Sequence, residues 1–184
     1  LDARGLRVIG DTLNDPVKVD VAPAATPVDK IEQRVYQVDA SQKVELLVAM
    51  FKEWDEYLAI VFPRTKQRAD RVEQALAASG VPCVTIHSDR SQSQRTKALE
   101  NFRKGKHSVL VATDVVARGI DIEGITHVIN YDIPDKPDEY IHRIGRTARA
   151  GATGVAASLT AYDDYEKLYT IEREMGVTLT TVDV

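Results

Sequence analysis

The segment HRIGRTAR, which begins at His142, places three arginines and a histidine within eight consecutive positions. Arg143, Arg146 and Arg149 recur at every third residue, so on a helix they would repel one another by roughly 0.2–0.5 kcal/mol per pair. A polyanion would offset that repulsion, because the planar guanidinium group matches the oxygens of a phosphate. The alternative is a surface helix whose arginines pair with nearby carboxylates such as Glu139. We favour the phosphate, and we therefore expect guanidinium groups without carboxylate partners in their own chain.

A second segment, ATDVVARGIDI, follows a short apolar run and carries several groups that could contact a ligand. Thr113 offers a hydroxyl, Gly119 allows close approach of a backbone, and Asp121 could accept hydrogen bonds from a sugar. Ligands of parallel α/β sheets bind where strands lead into loops, which is where this segment lies. Many strand-to-loop turns contain such residues, so by itself the segment indicates a ligand site only weakly.

The sequence contains no convincing phosphate-binding loop in addition to these arginines. Gly5 and Gly10 have the spacing of such a loop, but Asp11 stands in place of its lysine and would repel phosphate. The four histidines are far apart in sequence and have no cysteine neighbours, so we predict no metal site. The single cysteine, Cys83, excludes an internal disulfide and is typical of a reducing, cytoplasmic location.

Bulk composition is that of a globular domain, with 43% hydrophobic residues, 28% charged residues and a net charge of −4. Basic residues outnumber acidic ones between Ile60 and Gly151, whereas the remainder of the chain is acidic. A locally basic face is compatible with phosphate binding, although solvated helix surfaces would give the same pattern. No apolar run approaches the roughly 20 residues that a membrane helix needs, so no membrane partner is expected.

Short apolar runs alternate with segments of helical periodicity along most of the chain. Strands are predicted at 32–38, 58–62, 84–87, 108–113, 128–131 and 155–159. Helices are predicted at 41–54, 66–79, 92–103, 139–148 and 163–175. This alternation favours βαβ units and an α/β fold, in which a parallel sheet has helices on both faces. Ser91 with Gln94 predicts a capping box, and Gly176 is placed to end the last helix.

Five segments together resemble the second, RecA-like domain of DEAD-box helicases, in the same order and spacing. They are IVFPRTK, IHSDRSQSQR, ATDVVARGIDI, HVINYDIP and HRIGRTAR. The likeness covers residues 31–176. It implies a helicase C-terminal RecA-like domain over 31–184, preceded by an interdomain linker over 22–30 and by the end of an N-terminal RecA-like domain over 1–21.

The resemblance also implies roles for individual residues. Arg143 and Arg146 match arginines that reach the γ-phosphate of ATP, and His142 matches a histidine that links nucleotide state to the domain interface. Asp121 and Gly119 match the nucleotide-binding positions, Asp121 through the ribose. The implied RNA-binding set is Arg64, Lys66, Arg95, Thr113, Asp114 and Gly119. Arg118 is expected to be structural or interfacial.

Three positions depart from the family pattern, which has glycine at 88 and 148 and alanine at 116. Ser88 and Val116 could alter local backbone or packing, whereas Ala148 is expected to be a mild change because alanine favours helix.

The resemblance implies an ATP-dependent RNA helicase whose ATP and Mg²⁺ are held by an N-terminal domain that this segment lacks. Its partners would be RNA and that domain, and the chain alone would be inactive. A non-catalytic RNA-binding module and a DNA-directed helicase-like motor remain as alternatives. The RNA-binding module predicts that this chain alone binds RNA tightly, with a steep salt dependence.

Overall fold

The computed structural model of the protein describes residues 28–118 and 120–182. The predicted remnant at 1–21 and most of the predicted linker lie outside the described residues, as does Gly119. The final three residues of that linker, Val28–Lys30, form a 3₁₀ turn that leads directly into the first strand.

Seven parallel strands form one sheet in the described part of the chain, in the order β3-β4-β2-β5-β6-β1-β7. The strands are β1 (Ile31–Gln37), β2 (Ala59–Val61), β3 (Cys83–Ile86), β4 (Val109–Ala112), β5 (His127–Asn130), β6 (Gly154–Thr160) and β7 (Thr180–Val182). The six predicted strands are confirmed to within about two residues at each end, a normal uncertainty for such boundaries. The seventh strand was not predicted; it pairs with β1 over only three residues.

Six α-helices occur in the described residues. They are α1 (Lys43–Glu53), α2 (Lys66–Ala78), α3 (Gln92–Arg103), α4 (Asp114–Ala117), α5 (Pro137–Ile144) and α6 (Tyr165–Met175). The predicted capping box is confirmed: the Ser91 hydroxyl accepts from the Gln94 amide, and the Gln94 side chain accepts from the Ser91 amide. Gly176 ends α6 in the left-handed conformation, with φ 66°, which glycine adopts without the strain that a Cβ would cause.

Helices cover both faces of the sheet, as predicted. Ala59 and Val61 of β2 pack with α1 and α2 on one face. Ile60 and Phe62 point to the other face and pack with α3 and α4. A third core cluster lies beneath α5 and α6 on this second face. The alternating side-chain direction of a buried strand therefore builds two layers of core.

The helix predicted at 139–148 is shorter than expected, and the prediction for Ala148 is wrong. The helix ends at Ile144, and the chain then turns as the Thr147 hydroxyl donates to the Ile125 carbonyl at 2.5 Å. Ala148 and Ala150 adopt left-handed conformations with φ 55° and 54°. Alanine is unfavourable there because its Cβ approaches the following carbonyl, so the helical preference of alanine is irrelevant at this position.

Ser88, unlike Ala148, does not adopt a left-handed conformation, because its φ is not positive. Val116 lies in α4 and is buried against the core of the second face. None of the described helices is long and apolar enough to cross a membrane.

Candidate functional site

Arg143, on the last turn of α5, lies inside the domain with only 4% of its surface exposed. Its Nε and Nη2 donate to the two carboxylate oxygens of Asp114, at 2.7 and 2.6 Å. Its Nη1 donates to the Asn130 side chain and to the Asp132 carbonyl, at 3.2 and 2.7 Å. The guanidinium also lies 5.1 Å from the centre of the Phe62 ring. Its charge is thus neutralised and its hydrogen-bonding capacity nearly filled within the chain.

Arg146 follows the end of α5 and is held differently. Its Nη1 donates to the Ile120 carbonyl at 2.8 Å and its Nε to the His142 carbonyl at 3.2 Å. In the described part of the chain no carboxylate lies within ion-pair distance of this side chain. Burial lowers the pKa of the Arg146 guanidinium, the nearby charge of Arg149 lowers it further, and the carboxylate of Asp121 acts in the opposite direction. Arg146 is therefore a partly desolvated cation that is positioned by neutral dipoles, which leaves its charge available to an anion.

Arg149 pairs with Asp121 across the turn that follows α5. Its Nη1 donates to a carboxylate oxygen of Asp121 at 2.5 Å, and its Nε donates to the Gly145 carbonyl at 3.0 Å. The Asp121 side chain is 86% exposed, so water or a ligand could replace this contact at little cost. The expectation of guanidinium groups without carboxylate partners is consequently wrong for Arg143 and Arg149 and correct for Arg146.

A groove of about 320 Å³ borders these residues. His142, Arg146 and Arg149 supply its polar wall, and Ile31 and Ile141 supply apolar surface. His142 is exposed, and it also lines a narrow cleft that leads towards Asp114 and Phe62. His142 thus lines the same groove as Arg146, and the Asp121 carboxylate lies near enough to Arg146 for its charge to act on that guanidinium.

Three of the predicted RNA-contacting residues lie at the carboxyl ends of three adjacent strands. Thr113 follows β4 and precedes α4, Lys66 opens α2 after β2, and Arg95 lies in the first turn of α3 after β3. Because β3, β4 and β2 are neighbours, these loops share one edge of the sheet. The Lys66 ammonium lies 2.7 Å from a carboxylate oxygen of Asp89, which joins two of the loops directly.

Arg64 turns away from this group, towards the loop after β5. Its guanidinium donates to the Ile133 carbonyl at 3.0 Å and pairs with Asp135 at 3.2 Å, while its amide donates to Asp132 at 2.8 Å. It thereby lines a separate cavity of about 540 Å³ that also contains Lys43.

Asp114 is placed to hold Arg143 rather than RNA. Both of its carboxylate oxygens accept from the guanidinium of Arg143. If that pair opened, the free carboxylate would repel a phosphate of RNA. The implied RNA contact of Asp114 thus has no support in its surroundings. Gly119 lies outside the described residues.

Sequence reasoning missed two residues that organise the site. Arg149 was visible in the HRIGRTAR segment but received no role of its own. Asp132 was not singled out, although its buried carboxylate accepts from Arg68 and from the Arg64 amide and lies 3.9 Å from the Lys43 ammonium. The only signal for it was its position directly after a buried strand, where an α/β sheet gathers polar groups.

A parallel sheet that presents cations at its carboxyl edge, together with a partly desolvated arginine beside an exposed carboxylate, gives an α/β domain whose polar groups could bond to phosphate and sugar oxygens. No cluster of three or more metal-ligating side chains occurs within 28–118 and 120–182.

Residues 42–151 match the family model of the helicase conserved C-terminal domain. The chain is 42% identical over 167 residues to the DEAD-box ATP-dependent RNA helicase CshA of Geobacillus kaustophilus, a match that covers 91% of this chain and 36% of the relative. It is 43% identical over 162 residues to the ATP-dependent RNA helicase RhlB of Pseudomonas syringae, covering 88% of this chain and 41% of the relative. The chain therefore spans about two fifths or less of the length of these curated relatives.

The solved structures that resemble this fold are also those of DEAD-box proteins. The Escherichia coli DEAD-box protein SrmB, bound to the regulator of ribonuclease activity A, superposes with a TM-score of 0.78 at 37% identity, covering 84% of this chain and 91% of that one. Saccharomyces cerevisiae Dbp5 bound to RNA and ADP BeF3 superposes with a TM-score of 0.80 at 32% identity, covering 84% and 42%. The chain belongs to the DEAD-box RNA helicase family and has the RecA-like fold of its C-terminal helicase domain.

Proposed function

We propose that this chain is the C-terminal half of an ATP-dependent RNA helicase and that it completes an ATP site held mainly by an N-terminal domain. The named activity of the relatives supports the proposal, and one observation carries it. Arg146 is a cation held by two backbone carbonyls beside an open groove, with no carboxylate within ion-pair distance among the described residues, so its charge is available to a phosphoryl group.

Arg146 acts in this proposal as the arginine that meets the transferred phosphoryl group when the two domains close. A guanidinium that is already partly desolvated loses little hydration on meeting that charge, which is the requirement for electrostatic stabilisation of a transition state. Arg143 was expected to share this role. Its bidentate pair with Asp114 instead favours a positioning role, in which it fastens α5 to α4 and so sets where Arg146 lies.

Asp121 and Arg149 form the adjustable part of the site. Their exposed ion pair can open, which would allow Asp121 to accept from a ribose hydroxyl and Arg149 to join Arg146 at the phosphates. ATP supplies the phosphoryl chemistry when bound, and Mg²⁺ belongs in the proposal to carboxylates of the N-terminal domain. His142 and the exposed apolar residues Ile141 and Val115 fit the surface against which that domain closes.

Lys66, Arg95 and Thr113 supply the RNA contacts in this proposal. They lie along one edge of the sheet, and all three can bond to phosphate or sugar oxygens without reading a base. Binding would therefore tolerate many sequences. When hydrolysis removes the γ-phosphate, Arg146 loses its partner and the domains reopen.

The test is reconstitution of activity. The chain alone should show no RNA-stimulated ATP hydrolysis, and it should gain that activity when fused to the N-terminal domain of a DEAD-box relative. The same fusion carrying Arg146→Ala provides the control for a contaminating ATPase. Hydrolysis by the isolated chain, or a fusion that binds ATP and RNA yet hydrolyses no faster than the N-terminal domain alone, would overturn the proposal.

A further inference from the structure

The ion pair between Lys66 and Asp89 puts a carboxylate on the edge of the sheet that is proposed to bind RNA. The Lys66 ammonium lies 2.7 and 3.0 Å from the two carboxylate oxygens of Asp89. The two side chains are 42% and 56% exposed, so a ligand could reach both, and an ion pair this exposed contributes little to stability. RNA carries a phosphate in every nucleotide, which a carboxylate repels. Asp89 therefore opposes binding at this position unless the ligand offers it a hydrogen-bond donor.

Buried groups hold the backbone of Asp89 in place. Its amide donates to Nδ1 of His87 at 3.3 Å, and Nε2 of that buried ring lies 2.9 Å from a carboxylate oxygen of Asp70. The Ser88 hydroxyl donates to the Asp89 carboxylate at 3.4 Å. The carboxylate thus extends from an anchored backbone, while the side chain itself stays exposed.

The Asp89 carboxylate differs from that of Asp114, which lies in the neighbouring loop. Both oxygens of Asp114 accept from Arg143, whereas the charged partner of Asp89 among the described residues is Lys66, itself a proposed RNA contact. The hydrogen bond from Lys66 lowers the pKa of the Asp89 carboxyl, and the smaller effect of burial opposes it. The group is therefore ionised at neutral pH, and an ionised carboxylate can only accept hydrogen bonds.

The RNA backbone offers one kind of donor to such a group. Phosphate and ester oxygens only accept, whereas the 2′-hydroxyl of each ribose can also donate. That hydroxyl and the 3′-phosphate are attached to neighbouring carbons of one ribose, so a carboxylate and a cation one hydrogen bond apart match the two groups. DNA lacks the hydroxyl, and its backbone would leave the carboxylate beside a phosphate without a donor. A carboxylate in this position therefore favours RNA over DNA.

We propose that Asp89 accepts a hydrogen bond from a 2′-hydroxyl of bound RNA while Lys66 contacts the adjacent phosphate, so that Asp89 selects RNA over DNA. The inference rests on the proposed function, since it requires RNA to lie along the edge of the sheet that carries Lys66. The ammonium has three donors, so Lys66 can bond to Asp89 and to a phosphate oxygen together. The contact uses no base, and the selection is therefore the same for every sequence.

The experiment measures the affinity of the two-domain fusion protein for a single-stranded adenosine oligonucleotide made as RNA, as DNA and as 2′-fluoro RNA. The ratio of RNA affinity to DNA affinity is the measured quantity, because a change in net charge alters the binding of both strands. Asp89→Ala should lower this ratio about tenfold, as expected for the loss of one hydrogen bond to a charged acceptor. Asp55→Ala is the matched control and should leave the ratio unchanged, because Asp55 is exposed and lies at the amino-terminal edge of the sheet, before β2.

The 2′-fluoro strand tests the donor itself, because it keeps the sugar conformation of RNA but has no hydroxyl. The loss of affinity on replacing RNA by 2′-fluoro RNA should be about tenfold smaller in Asp89→Ala than in the unmodified fusion. An equal loss in the two proteins, or an unchanged ratio of RNA to DNA affinity in Asp89→Ala, would overturn the inference.

Lys66→Ala separates this inference from the proposed function. If Lys66→Ala weakens the binding of RNA and of DNA while Asp89→Ala leaves their ratio unchanged, the RNA edge stands and the 2′-hydroxyl contact is wrong. If Lys66→Ala changes the binding of neither strand, RNA lies elsewhere and both proposals fail. Circular dichroism of each variant verifies that these exposed substitutions leave the fold intact.

Discussion

Arg143 and Asp114 form a two-pronged ion pair, with both contacts at 2.7 Å or less, between the end of α5 and the start of α4. The arginine is buried, whereas the aspartate side chain retains 28% exposure. The pair joins two segments that both line the narrow cleft beside Arg146. It is therefore a structural link on which the geometry of the proposed phosphate contact depends.

Removing the carboxylate of this pair should destabilise the domain. Asp114→Asn leaves a buried guanidinium without its counter-charge, and loss of one partner of a buried pair costs about 3–5 kcal/mol, with less expected here because water reaches Asp114. Urea unfolding of the chain measures the change. Glu32→Gln, which removes an exposed pair with Arg34, should change the free energy of unfolding by no more than about 1 kcal/mol. Equal stabilities of the two variants would contradict the structural role of the pair.

Substitutions of Arg146 and of Arg143 should affect different properties of the two-domain enzyme, kcat in the first case and the free energy of unfolding in the second. Arg146→Ala should lower kcat by about 10³-fold or more, with ATP affinity and unfolding free energy little changed. Arg143→Ala should first lower the free energy of unfolding, because it leaves Asp114 and Asn130 without their partner. Steady-state kinetics, ATP titration and urea unfolding of each variant separate the two outcomes. A near-normal kcat in Arg146→Ala would remove its proposed role.

Lys66→Ala and Arg95→Ala should each weaken RNA binding by the fusion protein equally for unrelated sequences. Each should also reduce the slope of log affinity against log salt by about one, since one phosphate contact is lost. Lys106→Ala is the matched control, because Lys106 is exposed and lies at the opposite, amino-terminal edge of the sheet, before β4. A change in slope for Lys106→Ala as large as that for Lys66→Ala would place the RNA elsewhere.

At the strained turn after α5, glycine should give a higher free energy of unfolding than alanine. Relief of the left-handed conformation is worth about 1–2 kcal/mol, and the added freedom of the unfolded chain offsets about 0.4–1 kcal/mol of that gain. Ala150 is exposed, so Ala150→Gly should raise the free energy of unfolding. Ala148 is buried and its methyl group packs in the core, so Ala148→Gly should gain less. Thermal unfolding of both variants measures the two changes, and a lower melting temperature for Ala150→Gly than for the unmodified chain would show that backbone strain is unimportant here.

Local signals in the sequence predicted the elements that they directly control. The limits of α3 were predicted to the residue, because Ser91 and Gln94 form the capping box that begins it. The buried strands were found because alternation of short apolar runs with amphipathic helices has few other solutions. β7 was missed since its threonines are mostly exposed and β1, its partner among the described strands, is distant in the chain.

The sequence by itself determined the α/β architecture, the edge of the sheet that carries the cations, and the family to which the chain belongs. Tertiary structure alone decided which of the three arginines has no carboxylate partner within 28–118 and 120–182. Asp114 lies 29 positions before Arg143, and no local pattern joins them until β4, β5 and α5 pack together. Ion pairing depends on the distance between groups and on their exposure to water, and both are properties of the folded chain. The spacing of the three arginines is nearly uniform, yet folding gives each a different charge environment.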